Sequence, residues 1–292
     1  MEIEGRVSQI EISKMIEIIQ MNPIDVEMFT FPGGEQHVTI KSGAFDNFVV
    51  VKARITSSDD IIRLALLAEL MDAKRVKVRH LEMLYIPYAR QDRRCSSGDS
   101  FSLKVFTNML NAMTWDSVTV LDPHSHVATA LIDNVIIRSV ADLAASNAYL
   151  LDLVEQTIPV APDIGASKKV WEIAKIGGCT HELIQAKKIR DPRTGQITDT
   201  TLEFPTDAAL AGGEEVTIWD DICDGGRTFI EIAKALKAKN RSMVISLFVT
   251  HGIFSKGLQP LFDSGISHIY TTDSLPQDVP EEFNGRVTVI HV

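Results

Sequence analysis

Two adjacent acids, Asp220 and Asp221, stand directly after an apolar run and shortly before a Gly-Gly turn. A helix is predicted to begin near Thr228, just after that turn. Backbone N–H groups at such a turn bind phosphate, and the two carboxylates could hold sugar hydroxyls or the shell of a magnesium ion. The segment therefore suits a phosphorylated sugar, although an N-capped strand-to-helix turn of any α/β protein explains it equally well.

Other polar side chains also follow apolar runs, namely Arg90, His124, Asp163 and His251. In parallel α/β sheets, ligands bind beyond the carboxyl ends of the strands. Strand-to-helix turns are polar in most proteins, which explains some of these residues. It does not explain two histidines and the basic run R-Q-D-R-R that begins at Arg90.

The elements that must position these residues alternate between strand and helix. Strands are predicted at Phe48–Val51, Leu81–Ile86, Val118–Leu121, Ile158–Ala161, Val216–Trp219, Met243–Val249 and Val287–Val292. Helices are predicted at Ile61–Met71, where Asp59 and Asp60 form the cap, and at Ser102–Ala112. A third helix is predicted to follow Gly165 and to end at Lys175. This alternation predicts an α/β fold with parallel sheets covered by helices on both faces. The polar stretch Asp191–Thr201 is predicted to be an extended, mobile loop or a hairpin.

Length and composition exclude several classes of protein. The chain has 292 residues, enough for two domains or one large one, and its hydrophobic fraction of 45% is ordinary for a soluble protein. A net charge of −10 argues against nucleic acid as a partner. We find no apolar run long enough to cross a membrane and no signal peptide. Three cysteines without C-x-x-C spacing indicate a reducing compartment, so a cytoplasmic location is expected.

Several well-known nucleotide and metal motifs are absent from the sequence. It contains no Walker A pattern and no G-x-G-x-x-G after a strand, so any nucleotide must be held in another way. It also contains no C-x-x-C or H-E-x-x-H, so zinc is not expected.

Five groups of residues together indicate a family. They are F-P-G-G-E (Phe31–Glu35), P-Y-A-R-Q-D-R (Pro87–Arg93), D-P-H (Asp122–His124), A-P-D-I-G (Ala161–Gly165), and the segment Asp220–Thr228 followed by T-H-G-I-F-S (Thr250–Ser255). In this order and spacing they resemble the ribose-phosphate diphosphokinase (PRPP synthetase) family, over residues 29 to 274. The resemblance implies two tandem phosphoribosyltransferase-like (type I) domains, placed at residues 1–145 and 146–292. It also implies ATP as co-substrate, Mg²⁺ and a homo-oligomer with a shared ATP site.

The resemblance assigns an ATP site to the first half of the chain. Arg90, Gln91 and Asp92 match the segment that binds ATP, and the planar fork of Arg90 suits phosphate. Phe31 and Glu35 match a loop that reaches the adenine of a neighbouring subunit. Without the resemblance, Phe31 would more often be a core residue and Arg90 part of a surface salt bridge.

The same resemblance implies metal-linked and catalytic residues. His124 and Asp163 match the magnesium-linked positions, and Lys188 and Arg190 match a K-x-R pair on the catalytic loop. Arg90 is the third residue assigned to catalysis. A lone histidine is otherwise more often structural, and a basic run is more often a solvated face.

The second half of the chain is implied to bind the ribose phosphate. Asp220 and Asp221 match the acids that hold the ribose hydroxyls. The loop for the 5-phosphate comprises Asp224, Gly225, Gly226, Arg227 and Thr228. The implied reaction is attack of the anomeric hydroxyl of the sugar on the β-phosphorus of ATP, with AMP as the leaving group.

Three differences from the family's usual pattern concern the substrate. The phosphate loop D-T-G-G-T has become D-G-G-R-T, which removes a hydroxyl at Gly225 and adds a cation at Arg227. Gly33 replaces an acid of the family's F-x-D-G-E loop. The chain stops at Val292, soon after its last predicted strand, without the helix that typically closes the family's C-terminus. Because Arg227 could grip a diphosphate, ADP-ribose is an alternative acceptor, giving a pyrophosphate usable in nicotinamide-dependent NAD salvage. Alternatively, Arg227 faces solvent or pairs with Asp224.

Two further functions remain open at this stage. A phosphoribosyltransferase that consumes PRPP shares the acidic pair and the phosphate loop, but it needs neither P-Y-A-R-Q-D-R nor the F-P-G-G-E loop. A non-catalytic partner of a true synthetase typically has disrupted catalytic motifs, whereas Lys188, Arg190 and Arg90 are all present here.

Overall fold

A computed structural model describes residues 8–13, 15–176, 178, 183–190, 197–204 and 215–292, with the backbone alone at 8–13, 188–190 and 197–200. The chain divides into two compact units, residues 1–138 with 274–276 and residues 139–273 with 277–292. Unit 2 thus begins at Ser139, before the boundary expected at residue 146. The reason is that the helix Val140–Ser146 buries Val140 and Leu143 in the core of unit 2.

Unit 1 is built on a six-stranded sheet whose order is β1-β2-β5-β6-β7-β8. The first two pairings are antiparallel, and those from β5 to β8 are parallel. The strands are β1 (Ser8–Ser13), β2 (Ile16–Gln20), β5 (Phe48–Ala53), β6 (Val78–Met83), β7 (Ser117–Leu121) and β8 (Val135–Arg138). A separate antiparallel hairpin consists of β3 (Ile24–Thr30) and β4 (Gln36–Gly43).

Three helices accompany the sheet of unit 1, namely α1 (Ser58–Ala73), α2 (Ser102–Ala112) and α3 (His126–Leu131). Their fully buried leucines, such as Leu64 and Leu103, pack in one hydrophobic core with sheet residues such as Val51. The cap of α1 is Ser57, not the two aspartates expected from the sequence. Asp60 is instead the third helical residue, and it accepts a hydrogen bond from the Ser57 N–H in a capping box.

Unit 2 is built on a seven-stranded sheet whose order is β11-β10-β9-β12-β13-β14-β15. Only the β10–β11 pairing is antiparallel. The strands are β9 (Ile158–Ala161), β10 (Ile184–Arg190), β11 (Ile197–Glu203), β12 (Glu215–Cys223), β13 (Val244–Gly252), β14 (His268–Thr272) and β15 (Val287–Ile290). The polar stretch predicted at 191–201 therefore ends in the hairpin strand β11; residues 191–196 lie outside the described residues.

The helices of unit 2 are α4 (Val140–Ser146), α5 (Ala148–Gln156), α6 (Ile164–Ile176), α7 (Arg227–Lys239) and α8 (Gln259–Asp263), with a 3₁₀ helix at Glu281–Phe283. Trp219 and Phe248, from neighbouring strands, pack with ring centroids 4.7 Å apart under the α4–α6 layer. On the other face, α7 buries Phe229 and Ile232 against the sheet.

Strands β12 and β13 both run further than the sequence indicates. The acidic pair was expected after the strand, but β12 continues through it to Cys223. In the same way, β13 continues through Thr250 and His251, and His251 is buried. Ladder pairing between the two strands holds these polar residues in extended conformation, with Ile222 opposite His251. Among the described residues, none of the helices is long and apolar enough to cross a membrane.

Candidate functional site

Two loops at the carboxyl end of the unit 2 sheet are joined by hydrogen bonds. The carbonyl oxygen of Cys223 accepts from the N–H of Ile253 at 2.8 Å and from that of Phe254 at 3.0 Å. The hydroxyl of Ser255 donates to Oδ1 of Asp224 at 2.5 Å. The T-H-G-I-F-S segment is therefore hydrogen-bonded to the start of the predicted phosphate loop and helps to hold it in place.

Glycine at position 226 is required by the geometry of the loop. Its φ is +74°, in the left-handed region, and a Cβ there would lie 2.9 Å from Cδ2 of Leu261. Gly225 is under no such constraint, because an added Cβ would make only an ordinary contact of 3.6 Å with Cγ of Lys256.

The N-terminus of α7 is open to an anion. Gly226 is its N-cap, no side chain caps it, and the first turn contains no acid. The bond from the Ile230 N–H to the Gly226 carbonyl, 3.0 Å long, is the first of the helix. The N–H groups of the first turn, including those of Arg227 and Thr228, therefore face a position where a phosphate would satisfy them.

Arg227 adds a positive charge to this first turn. It is exposed and, within the described part of the chain, forms no ion pair. The expected pairing with Asp224 is therefore not formed, and Asp224 accepts the Ser255 hydroxyl instead. A cation is unfavourable at a helix N-terminus unless an anion lies nearby, so Arg227 strengthens the case for a bound anion.

The acidic pair lies shortly before the phosphate loop, near the carboxyl end of strand β12. Oδ1 of Asp220 accepts a 2.9 Å hydrogen bond from the Asp221 N–H. Burial raises the pKa of Asp220 well above its usual range, and the charges of Asp221 and Asp163 raise it further. Carboxylates in this setting are stabilised by hydroxyl donors or by a cation.

Asp163 lies at the same edge of the sheet, after β9. Its Oδ1 accepts from the Ala166 N–H at 3.1 Å, and its effect on the pKa of Asp220 places the two carboxylates within electrostatic range. Across the described residues, no three His, Cys, Asp or Glu side chains are arranged to hold a metal ion. Mg²⁺ commonly binds one or two carboxylates together with substrate phosphates and water, and Asp163 offers one such carboxylate.

The P-Y-A-R-Q-D-R segment forms a tight turn after β6 in unit 1. Tyr88 has a φ of +61°, which is strained for an aromatic residue. The Gln91 N–H donates to the Tyr88 carbonyl at 2.9 Å, and the Gln91 carbonyl accepts from the Leu103 N–H at 3.4 Å. These bonds tie the turn to the first residues of α2.

Arg90, Gln91 and Asp92 all border a polar cavity of about 410 Å³ in unit 1, within the size range of small-molecule sites. The remaining lining residues are Arg93, Cys95, Gly98, Asp99, Ser100 and Ser102. The side chains of Arg90 and Gln91 are exposed to solvent.

Asp92 is buried and binds Arg93 through both carboxylate oxygens, at 2.8 and 3.2 Å. The Arg93 guanidinium holds the pKa of Asp92 below its usual range, and smaller contributions come from Ser125 and His124. His124, one of the two predicted metal-linked residues, therefore lies near Asp92 in unit 1.

Phe31 and Glu35 begin and end the tip of the β3–β4 hairpin. The Phe31 N–H donates to the Glu35 carbonyl at 2.8 Å, and Gly34 takes a φ of +95° to close the turn. The Phe31 side chain is 45% exposed and contacts Phe29 edge to face at 4.9 Å. An aromatic ring is thus presented on the surface and not in the core.

The predicted catalytic pair Lys188 and Arg190 has its backbone in β10, where Lys188 pairs with Thr200 of β11. Their side chains lie outside the described residues, so their roles stay predictions. Sequence reasoning gave no role to Ser255 and did not mention Lys256. The signal for Ser255 was its place in the T-H-G-I-F-S motif, whereas the position of Lys256 beside the phosphate loop is defined by the folded loops.

Comparison with known proteins agrees with this architecture. The family model for the N-terminal domain of ribose phosphate pyrophosphokinase matches residues 4–113. The ribose-phosphate pyrophosphokinase of Sulfolobus acidocaldarius is 26% identical over 99% of this chain and 94% of its own length. That of Sulfurisphaera tokodaii is 28% identical over 94% of this chain and 91% of its own length.

The fold is also found among solved structures. The crystal structure of phosphoribosylpyrophosphate synthetase from Mycobacterium smegmatis matches with a TM-score of 0.75 and 18% identity, covering 93% of this chain and 87% of that one. Two tandem phosphoribosyltransferase-like domains, as the sequence predicted, account for the two units. The motifs, the fold and relatives that span nearly the whole chain agree in showing that the chain is similar to ribose-phosphate pyrophosphokinases (PRPP synthetases).

Proposed function

We propose that the protein moves the β,γ-diphosphate of ATP to the anomeric C1 hydroxyl of a 5-phosphorylated ribose and releases AMP. Ribose 5-phosphate is the first-choice acceptor, and the product is then PRPP. The observation that carries the proposal is the uncapped N-terminus of α7 beside Asp220 and Asp221. The relatives in the comparison bear the name of this activity.

The unit 2 site offers a separate group for each end of the sugar phosphate. The N–H groups after Gly225 and Gly226 would donate hydrogen bonds to the 5-phosphate. Asp220 and Asp221 would accept hydrogen bonds from the ribose hydroxyls, which suits carboxylates that burial has deprived of water. A ribose held at both ends leaves its anomeric hydroxyl free to react.

ATP would occupy the polar cavity of unit 1. Arg90 can donate two parallel hydrogen bonds to a phosphate, and Gln91 lies beside it on the same wall. The exposed ring of Phe31 suits stacking on an adenine, and in the proposed homo-oligomer it does so in a neighbouring subunit. The small-molecule partners are therefore ATP and a ribose phosphate.

Diphosphoryl transfer requires alignment and charge neutralisation more than covalent chemistry. Arg90, Lys188 and Arg190 would stabilise the negative charge that builds on the transferred group. Asp163 in unit 2 and His124 in unit 1 are the residues that the resemblance links to Mg²⁺, which would supply charge neutralisation of phosphate oxygens when bound.

The test is release of AMP from ATP by the full-length protein with Mg²⁺ and ribose 5-phosphate. We expect AMP and an acid-labile sugar diphosphate in equal amounts, and neither without the acceptor. Asp221→Asn should abolish most of this activity, whereas Lys234→Ala should retain it, because Lys234 pairs with Glu231 on the exposed side of α7. Consumption of PRPP without AMP formation would support a phosphoribosyltransferase. Inactivity with every acceptor would support a non-catalytic regulator.

ADP-ribose remains a second candidate acceptor because Arg227 lacks an ion-pair partner in the described part and Gly225 leaves the loop open. Its diphosphate would reach both the N–H groups of the cradle and Arg227, and the product would serve nicotinamide-dependent NAD salvage. Measuring AMP release with ribose 5-phosphate and with ADP-ribose, side by side, identifies the preferred acceptor. A higher kcat/KM for ADP-ribose would replace the first-choice acceptor and leave the reaction type unchanged.

A further inference from the structure

We infer that Lys256 is a phosphate-binding residue of the acceptor site, acting together with Arg227 at the 224–228 loop. The inference deepens the proposed function and rests on it for the identity of the acceptor. It assigns this role to a residue outside the matched motifs, since Lys256 directly follows the T-H-G-I-F-S segment.

The position of Lys256 is fixed by the bonds that join the two loops. Cys223 holds the chain at Ile253 and Phe254, and Ser255 holds Asp224. The next residue, Lys256, is thereby set against the phosphate loop, where its Cγ lies 3.6 Å from the position of a Cβ on Gly225.

The stem of Lys256 lies against the phosphate loop at Gly225. Its ammonium group extends beyond Cγ by three bonds. From this position Nζ can extend toward a phosphate bound by the N–H groups of the first turn of α7. The Gly257 that follows has a φ of +72°, which turns the chain away immediately after the lysine.

Two cationic side chains at the loop have no partner among the described residues. Lys256 is exposed and makes no hydrogen bond or ion pair with any described residue, and the same holds for Arg227. Asp224, an acid beside them, accepts the Ser255 hydroxyl. Lys256 and Arg227 thus offer two cations next to an uncapped helix N-terminus, an arrangement that favours binding of a phosphate dianion or a diphosphate.

The test is direct binding of ribose 5-phosphate and of ADP-ribose to the full-length protein by calorimetry, without ATP. Lys256→Ala should weaken binding of the preferred ligand by about 10-fold, the usual size of one charged hydrogen bond. Lys256→Arg should restore affinity to within about 3-fold, because it keeps the charge. Lys234→Ala is the matched control, an exposed lysine of the same unit that is paired with Glu231.

Steady-state kinetics separate binding from a merely structural effect. Lys256→Ala should raise KM for the acceptor and leave KM for ATP unchanged. Equal increases in both KM values, or unchanged affinity for both ligands in Lys256→Ala, would overturn the inference. Ligand binding that depends on Lys256 in a protein that releases no AMP would support the inference and reject the proposed function.

Discussion

The Ser255 hydroxyl donates a hydrogen bond of 2.5 Å to Oδ1 of Asp224, across the gap between the two loops that follow β12 and β13. The loops also share the carbonyl of Cys223, which accepts from two N–H groups of the second loop. The phosphate cradle is therefore shaped by two neighbouring strands, and a change after β13 should affect binding at the start of α7.

Ser255→Ala should weaken acceptor binding without unfolding the protein. The change removes one hydrogen bond to a partly exposed carboxylate, so we expect KM for the acceptor to rise by about 5-fold to 10-fold. Ser242→Ala is a suitable control, since Ser242 lies just before β13 and its side chain, within the described part of the chain, bonds to the nearby Asn240 alone. Equal KM values in the two variants would contradict a structural role for the Ser255 bond.

Gly226→Ala should destabilise unit 2 strongly. An alanine would have to adopt the φ of +74° and place its Cβ 2.9 Å from Leu261, which together should lower the free energy of unfolding by about 2–3 kcal/mol. Urea denaturation measures the loss.

The neighbouring Gly225→Ala is the matched control for that prediction. Its Cβ would make an ordinary 3.6 Å contact with Lys256, so stability should change by less than about 1 kcal/mol. If both alanine variants were equally stable, the strained turn described for Gly226 would be wrong.

The raised pKa of Asp220 makes the stability of unit 2 depend on pH. At pH values above its ordinary pKa of about 3.9, the unfolded chain has lost this proton while the folded chain keeps it. Stability should therefore fall as pH rises from that value through the raised pKa. Asp220→Asn removes the titrating group, so its unfolding free energy should decline less over the same range. An equally steep decline in Asp220→Asn would exclude Asp220 as the source.

Arg93→Ala should destabilise unit 1 because it leaves the buried carboxylate of Asp92 without its bidentate partner. We expect a small loss of stability near neutral pH, because Arg93 is 72% exposed and water screens the pair. The lowered pKa of Asp92 means that the difference should vanish as pH falls through that pKa, where the carboxylate is protonated in both states.

Arg94→Ala provides the control for this experiment, since Arg94 is exposed and forms no ion pair within the described residues. Denaturation of both variants at neutral and acidic pH makes the comparison. Losses of the same size in Arg93→Ala and Arg94→Ala would contradict the role given to the Asp92–Arg93 pair.

The sequence was most informative where a buried apolar run is bounded by turn residues. β9 at Ile158–Ala161 and α2 at Ser102–Ala112 have the predicted limits, because burial and periodicity act within each segment. The limits of β12 and β13 were wrong because ladder pairing between the two strands extends both through polar residues. Such pairing is a tertiary effect, so a single segment does not reveal it.

The antiparallel hairpin at the start of the chain was not predicted, although its pattern contains a signal. In β3, Ile24 and Val26 are buried and alternate with exposed Asp25 and Glu27, the period of a half-buried strand. At the candidate site, sequence motifs located the acidic pair and the phosphate loop. No sequence pattern singles out Lys256, because its place at the phosphate loop depends on its distance from Gly225, which only the folded loops define.

The central claim is that a diphosphate moves intact from ATP to C1 of a phosphorylated ribose. The most direct measurement follows ATP labelled with ³²P at the β-phosphorus, incubated with the protein, Mg²⁺ and either ribose 5-phosphate or ADP-ribose. The account predicts that the label appears in the acid-labile sugar diphosphate while the AMP is unlabelled. Label in ADP, or in free diphosphate with no sugar product, would contradict it.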